Sequence, residues 1–172
     1  MLLHILKTIK DINYNLNFCG VLKMNLEDEI KQTKFRSEFQ KLAVNMMFTH
    51  NWLVKNHTEL LKKFDLTIAQ YNILRILRGQ LPKSASINLL KDRMIIKTSD
   101  ASRLIERLRT KKLIERKISR HDRRRSEVKI TRKGIDVLSN LDVQDKDFDQ
   151  LLNNLTITEA KSLNDLLDKV RN

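Results

Sequence analysis

The chain has 172 residues, 34 of them Lys or Arg against 21 Asp or Glu, which gives a net charge of +13. With 3 Gly, 1 Pro and 41% hydrophobic residues, it is poor in turn formers and has enough apolar material for one mainly helical domain, alone or with a helical extension. A lone cysteine, Cys19, excludes an internal disulfide framework and multi-cysteine zinc modules, and no apolar run reaches the roughly 18 residues of a membrane span. The expectation is a soluble, cytoplasmic protein with no membrane partner.

Residues Met1 to Ile12 interleave apolar groups with His4, Lys7 and Lys10, unlike a secretory signal. Met24 precedes an acidic, helix-compatible stretch, so residues 1–30 read as an N-terminal extension, with 1–23 an appendage or an upstream mis-start. From Phe35 to Phe64, Phe35, Phe39, Leu42, Met46, Leu53, Leu60 and Leu61 recur at helical spacing and predict one long helix. Thr67 and Gln70 then form a capping box that opens a helix through Tyr71, Leu74 and Leu77, ending near Gly79 and Pro82. Ser86 to Met94 predicts a short helix. Thr98 is the expected N-cap of the next one, Ser99 to Lys112, with Ala101, Leu104, Ile105 and Leu108 as its inward stripe.

Leu113 to Ser119 and Ser126 to Thr131 alternate apolar and polar residues around the charged tip Arg120-His121-Asp122-Arg123-Arg124-Arg125. That is a β-hairpin. Thr131 and Gly134 lead into a helix carrying Ile135, Leu138, Leu141, Phe148, Leu151, Leu152 and Leu155. A second capping box, Thr156 with Glu159, opens a final helix with Leu163, Leu166, Leu167 and Val170. A helix, a turn, a second helix with polar and basic residues near its start, and a hairpin together make a helix-turn-helix with a wing.

Charge is concentrated on this unit. Residues 86–134 hold 17 Lys or Arg against 6 Asp or Glu, so about +11 of the +13 lies in 49 residues, leaving the rest nearly neutral. A fixed basic surface of this density is what binding to phosphate requires; the rival reading is a solvated face kept for solubility.

Four short motifs stand in order along the chain: Leu66-Thr67-x-x-Gln70-Tyr71, Ser99-x-x-Ser102-Arg103-Leu104-Ile105-x-x-Leu108, Asp122-x-Arg124 and Thr131-x-x-Gly134. From about Phe35 to the C-terminus the chain resembles the multiple-antibiotic-resistance regulator (MarR) family of winged-helix transcription factors. The resemblance implies a mainly α fold with a winged helix-turn-helix at about 66–133. Terminal helices, at about 33–64 and 134–171, would form a dimerisation base, so that residues 31–172 make one domain. It further implies an obligate homodimer on a palindromic double-stranded DNA operator. The helix from Thr98 would lie in the major groove and the hairpin tip against the minor groove. Apolar stripes on the long terminal helices support the dimer independently, since a twin covering them would bury on the order of 2,000 Å². A two-fold dimer asks for half-sites roughly 34 Å apart.

Thr98, Ser99, Ser102 and Arg103 are the candidates for base edges or nearby phosphates, with helix capping the competing role of the first two. In the tip, Asp122 is implied to hold the wing and Arg124 to enter the minor groove. Arg120, Arg123 and Arg125 share the tip, and which arginine enters stays open. Lys97, Arg107, Arg116, Lys117 and Lys129 are candidate phosphate contacts or solubilising groups. Met46, Met47 and Trp52, beside Phe48, could line a small-molecule effector pocket, or simply pack. His50 and His57 lie roughly 10 Å apart along a helix, too far to share a metal unaided. Cys19 lies upstream of the first long helix, so redox sensing is not expected. The reading is a homodimeric DNA-binding regulator, a repressor released by an effector, with no catalytic residues, metal or cofactor. Its rivals are a winged-helix RNA- or protein-binding module without operator specificity, and an enzyme, for which no phosphate loop or catalytic set appears.

Overall fold

The computed structural model describes residues 25–95, 100–118 and 126–172, and at Ile118 and residues 144–148 the backbone only. The described elements are α1 (Leu26–Ile30), α2 (Glu38–Lys62), α3 (Ile68–Arg78), β1 (Ala85–Ser86), α4 (Ile87–Arg93), α5 (Ala101–Thr110), β2 (Ile114–Ile118), β3 (Ser126–Ile130), α6 (Arg132–Gln150) and α7 (Ile157–Arg171). They fall into two compact units, one ending at Trp52 and one running from Leu53 to Asn172, with the division inside α2. Among the described residues no helix is long and apolar enough to cross a membrane. Residues 1–23 and Cys19, read above as an appendage, lie outside the described residues.

In the first unit, the Glu27 carboxylate of α1 pairs with Lys41 of α2, whose ammonium also stands 6.0 Å from the centroid of the Phe35 ring. The Lys41 hydrogen bond holds the Glu27 carboxyl below the usual carboxylate range. Phe39 and Met47 are left largely exposed on α2.

The core of the second unit joins Leu61, Ile73, Leu74, Leu77, Leu90, Ile105, Leu108, Leu138 and Leu141 to the sheet residues Ile114 and Val128. Ile73 apart, these fall in the apolar patterns read from the sequence. Local chemistry fixes where each helix begins and stops. Thr67 Oγ1 accepts from Gln70 N at 3.2 Å while Gln70 Oε1 accepts from Thr67 N at 3.1 Å, the reciprocal capping box expected for α3. Ser86 Oγ accepts from Leu89 N at 3.1 Å and opens α4.

Helices α2 and α5 stop in the same way. Leu66 N donates to Leu61 O and Leu113 N donates to Leu108 O, each at 3.1 Å, with Asp65 and Lys112 just before them in left-handed conformation (φ 52° and 61°). Both are Schellman turns, sealed by buried Leu61–Leu66 and Leu108–Leu113 pairs at the motif's apolar positions. After the hairpin, Thr131 Oγ1 donates to Lys112 O at 2.8 Å and accepts from Gly134 N at 3.1 Å, so one hydroxyl ties α6 to the end of α5.

Three expectations change. The sheet has three strands in the order β1-β3-β2, because Ala85 and Ser86 pair with Val128 and Glu127 beside the hairpin. A two-residue strand carries no alternation to read. Helix α5, expected from Ser99 under a Thr98 cap, begins at Ala101 with Asp100 at the N-cap; Thr98 and Ser99 lie outside the described residues. Helix α6 begins at Arg132, with Gly134 inside its first turn. The hairpin register itself, Ile114 opposite Ile130 and Arg116 opposite Val128, goes with Ile114, Val128 and Ile130 buried on the core face.

Candidate nucleic-acid interface

Helices α4 and α5 are the two arms of the helix-turn-helix. The start of the turn between them is held where Ile95 N donates to Asn72 Oδ1 of α3 at 3.1 Å. Along α5, Ala101, Ile105 and Leu108 are fully buried and recur at 4- and 3-residue intervals, which fixes the helix's rotation about its axis. The opposite face, Ser102, Arg103, Glu106, Arg107, Arg109 and Thr110, is exposed.

Two of the three arginines there are uncommitted. Arg103 and Arg107 have no ion pair among the described residues, whereas Arg109 forks onto Glu106, with Nε 3.0 Å from Oε1 and 3.1 Å from Oε2, and a terminal nitrogen 2.6 Å from Oε1. That hydrogen bond, helped by the charges of Arg109 and Arg116, holds the Glu106 carboxyl below the usual carboxylate range although desolvation works the other way. Glu106 therefore stays ionised at neutral pH. The i, i+3 spacing of Glu106 and Arg109 on a helix is the signal in the sequence that could have found this pair.

On the hairpin, an Arg116 guanidinium nitrogen donates to Ser126 Oγ at 3.0 Å, Lys117 pairs with Glu115 at 3.3 Å, and Lys129 is exposed. Ser84 Oγ donates to Glu127 Oε2 at 2.9 Å, joining the residue before β1 to β3. The tip residues Arg120, Asp122, Arg123, Arg124 and Arg125, and Lys97, Thr98 and Ser99 before α5, lie outside the described residues. Of the predicted interface, the structure thus describes Ser102, Arg103 and Arg107 on one helix face and Arg116, Lys117 and Lys129 on the hairpin.

A groove of about 870 Å³ runs between the C-terminal end of α2, the first turn of α3 and the outer face of α5, and its lining includes Lys62, Thr67, Arg103, Arg107 and Lys111. Lys111 crosses to the left-handed Asp65, reaching its carbonyl oxygen and, at 3.0 Å, its carboxylate. Met46, Met47 and Trp52 are not part of that lining. They sit on α2, Met46 half-buried and the other two exposed. Among the described residues no three His, Cys, Asp or Glu side chains gather as metal ligands, and His50 and His57 remain apart on α2.

Two consecutive helices packed on one another, the second presenting a basic outer face and leading into an antiparallel hairpin, define a winged helix-turn-helix. The family model described as MarR family matches residues 64–125, from the start of α3 into the hairpin. Over those residues the winged helix-turn-helix of this chain is similar to that of the MarR family. Among solved structures, a MarR transcription factor from Planctomyces limnophilus is 28% identical, covering 78% of this chain and 98% of its own, with a TM-score of 0.62. A MarR mutant from E. coli complexed with operator DNA is 25% identical, covering 80% and 99%, with a TM-score of 0.69. BpsR of Bordetella bronchiseptica, from a study of how 6-hydroxynicotinic acid regulates its DNA binding, is 22% identical, covering 77% and 99%, with a TM-score of 0.68. No curated protein sequence matches the chain.

Proposed function

We propose that the protein is a sequence-specific, double-stranded DNA-binding transcription regulator that acts as a homodimer. One observation carries this reading. The face of α5 opposite its buried stripe presents Arg103 and Arg107 without partners among the described residues, at the centre of the most basic stretch of the chain. Free guanidinium groups on an exposed helix suit guanine edges and phosphate oxygens. The E. coli relative bound to operator DNA supports the same use of this fold.

In this proposal Ser102 and Arg103 meet base edges, Arg107 and Lys97 meet phosphates, and Thr98 and Ser99 join them at the start of the helix. Arg120, Asp122, Arg123, Arg124 and Arg125 form the minor-groove tip. The second subunit covers the apolar side chains left exposed: Leu163, Leu166 and Val170 of α7, and Phe39 and Met47 of α2. Repression is relieved when a small molecule shifts the two reading heads away from the spacing of successive major grooves. Met46, Met47 and Trp52 are the apolar residues proposed to receive it, with the missing wall of their pocket supplied by the second subunit. A tenfold loss of operator affinity needs a coupling of only ~1.4 kcal/mol.

Selection of bound duplexes from a random pool tests the reading. A palindromic motif is the expected outcome, and Arg103→Ala should weaken binding to it by about 1–3 kcal/mol more than to random duplex. Equal enrichment of all sequences, or a higher affinity for single-stranded RNA, would refute it.

A further inference from the structure

The outer face of α5 carries one carboxylate, Glu106, among Arg103, Arg107 and Arg109. It is not at the margin. Glu106 borders the groove shared with Arg103 and Arg107 on one side, and a smaller hollow shared with Arg109, Arg116 and Lys117 on the other. Facing a polyanion, such a group is repelled by every phosphate oxygen. In the major groove it is also repelled by guanine O6 and N7 and by thymine O4, all acceptors. Adenine offers an amino group, but its N7 acceptor lies beside it. Cytosine N4 is the donor with no acceptor beside it on the same base.

Arg109 places the carboxylate for that role. Its fork, with three contacts of 2.6–3.1 Å, fixes the Glu106 side chain along the helix. Oε1 takes two of these contacts and Oε2 only one, so acceptor capacity remains on Oε2. Thr110 Oγ1 donates to the Glu106 carbonyl at 3.1 Å, one turn on, and leaves the carboxylate alone.

We infer that Glu106 reads cytosine in the major groove, with Arg109 as its positioning residue, so that each half-site carries an obligatory C·G pair opposite the second turn of α5. This rests on the DNA-binding reading proposed above and adds the base that one side chain selects. The carboxylate rejects the other three bases at that position, so its main contribution is to specificity rather than affinity.

Random-duplex selection with the full chain tests the inference, comparing the wild type with Glu106→Ala, Glu106→Gln, Arg109→Ala and Arg109→Lys. The wild type is expected to enrich a motif with cytosine at one position of each half. Glu106→Ala should flatten that position roughly tenfold and leave the others intact. Glu106→Gln should shift its preference toward adenine, whose N6 and N7 match an amide. Arg109→Ala should blur the same position, and Arg109→Lys, which keeps the charge but not the fork, should restore it only in part. Both residues are exposed, so the variants should melt with the wild type. A wild-type motif that Glu106→Ala leaves unchanged, or a uniform change in affinity for all sequences, overturns this inference alone. A wild-type chain that enriches no duplex sequence overturns the DNA-binding reading first.

Discussion

At single positions, backbone geometry explains two residues that composition alone would leave unremarked. A Cβ on Gly134 would lie 2.3 Å from Leu113 O and 2.7 Å from Ile130 Cγ1, so the last residue of the Thr131-x-x-Gly134 motif is there to let α6 close against the end of α5. Gly134→Ala should destabilise the chain by about 1–3 kcal/mol, read as a lower denaturant midpoint at unchanged slope. Lys112 is the opposite case. It occupies the left-handed position of a Schellman turn, where glycine is the usual residue. Lys112→Gly should raise stability by about 0.5–1 kcal/mol, the left-handed strain relieved less the backbone entropy glycine adds to the unfolded chain. The motif made Gly134 legible as important in the sequence. The reason for it, two backbone segments brought together across the fold, was not. Lys112 gave no signal at all, since a lysine there reads as one more surface cation.

For whole elements the sequence was more transparent, because capping and periodicity are local. Both capping boxes form on the residues that predict them, and the buried stripe of α5 is the predicted one, Ala101, Ile105 and Leu108 with Leu104 half-buried. Thr67→Ala should cost about 1 kcal/mol, since it orphans the Gln70 amide at the start of α3. The Thr156 box also has a pH signature. The Thr156 amide hydrogen bond, with that of its hydroxyl, holds the Glu159 carboxyl below the usual range. A depressed folded value means this contribution is full at neutral pH and fades as acid protonates the carboxylate. Helical circular dichroism should therefore weaken below about pH 4, and Glu159→Gln, which keeps the acceptor without the charge, should flatten part of that change. Strand β1 escaped prediction for a physical reason. Its two residues are recruited by the edge of β3, whose partner residues lie 41 and 43 positions further along the chain, and not by any propensity of their own.

For the molecule as a whole, two features point outward from a single chain: a basic helix face on α5 and apolar side chains of α2 and α7 that stay exposed among the described residues. Leu163 and Leu166 of α7 are 44% and 59% exposed, and no residue of that helix is buried. If a second subunit covers them, the double change Leu163→Lys with Leu166→Lys should convert dimers to monomers by sedimentation while the core around Leu74 and Leu141 stays folded. The apolar stripes, too long for a small core to use, were legible in the sequence, whereas the spacing of two heads in the proposed dimer is a quaternary property that no local pattern encodes. Charge, by contrast, was readable from composition, because 17 basic residues within 49 need no structure to be counted. The most direct measurement is the affinity for the selected duplex between 50 and 200 mM salt. Neutralisation of about six or more phosphates by the two heads predicts a linear fall of log affinity with log salt, of roughly a thousandfold or more over that range. An affinity that does not change with salt would contradict the claim that this basic face binds DNA.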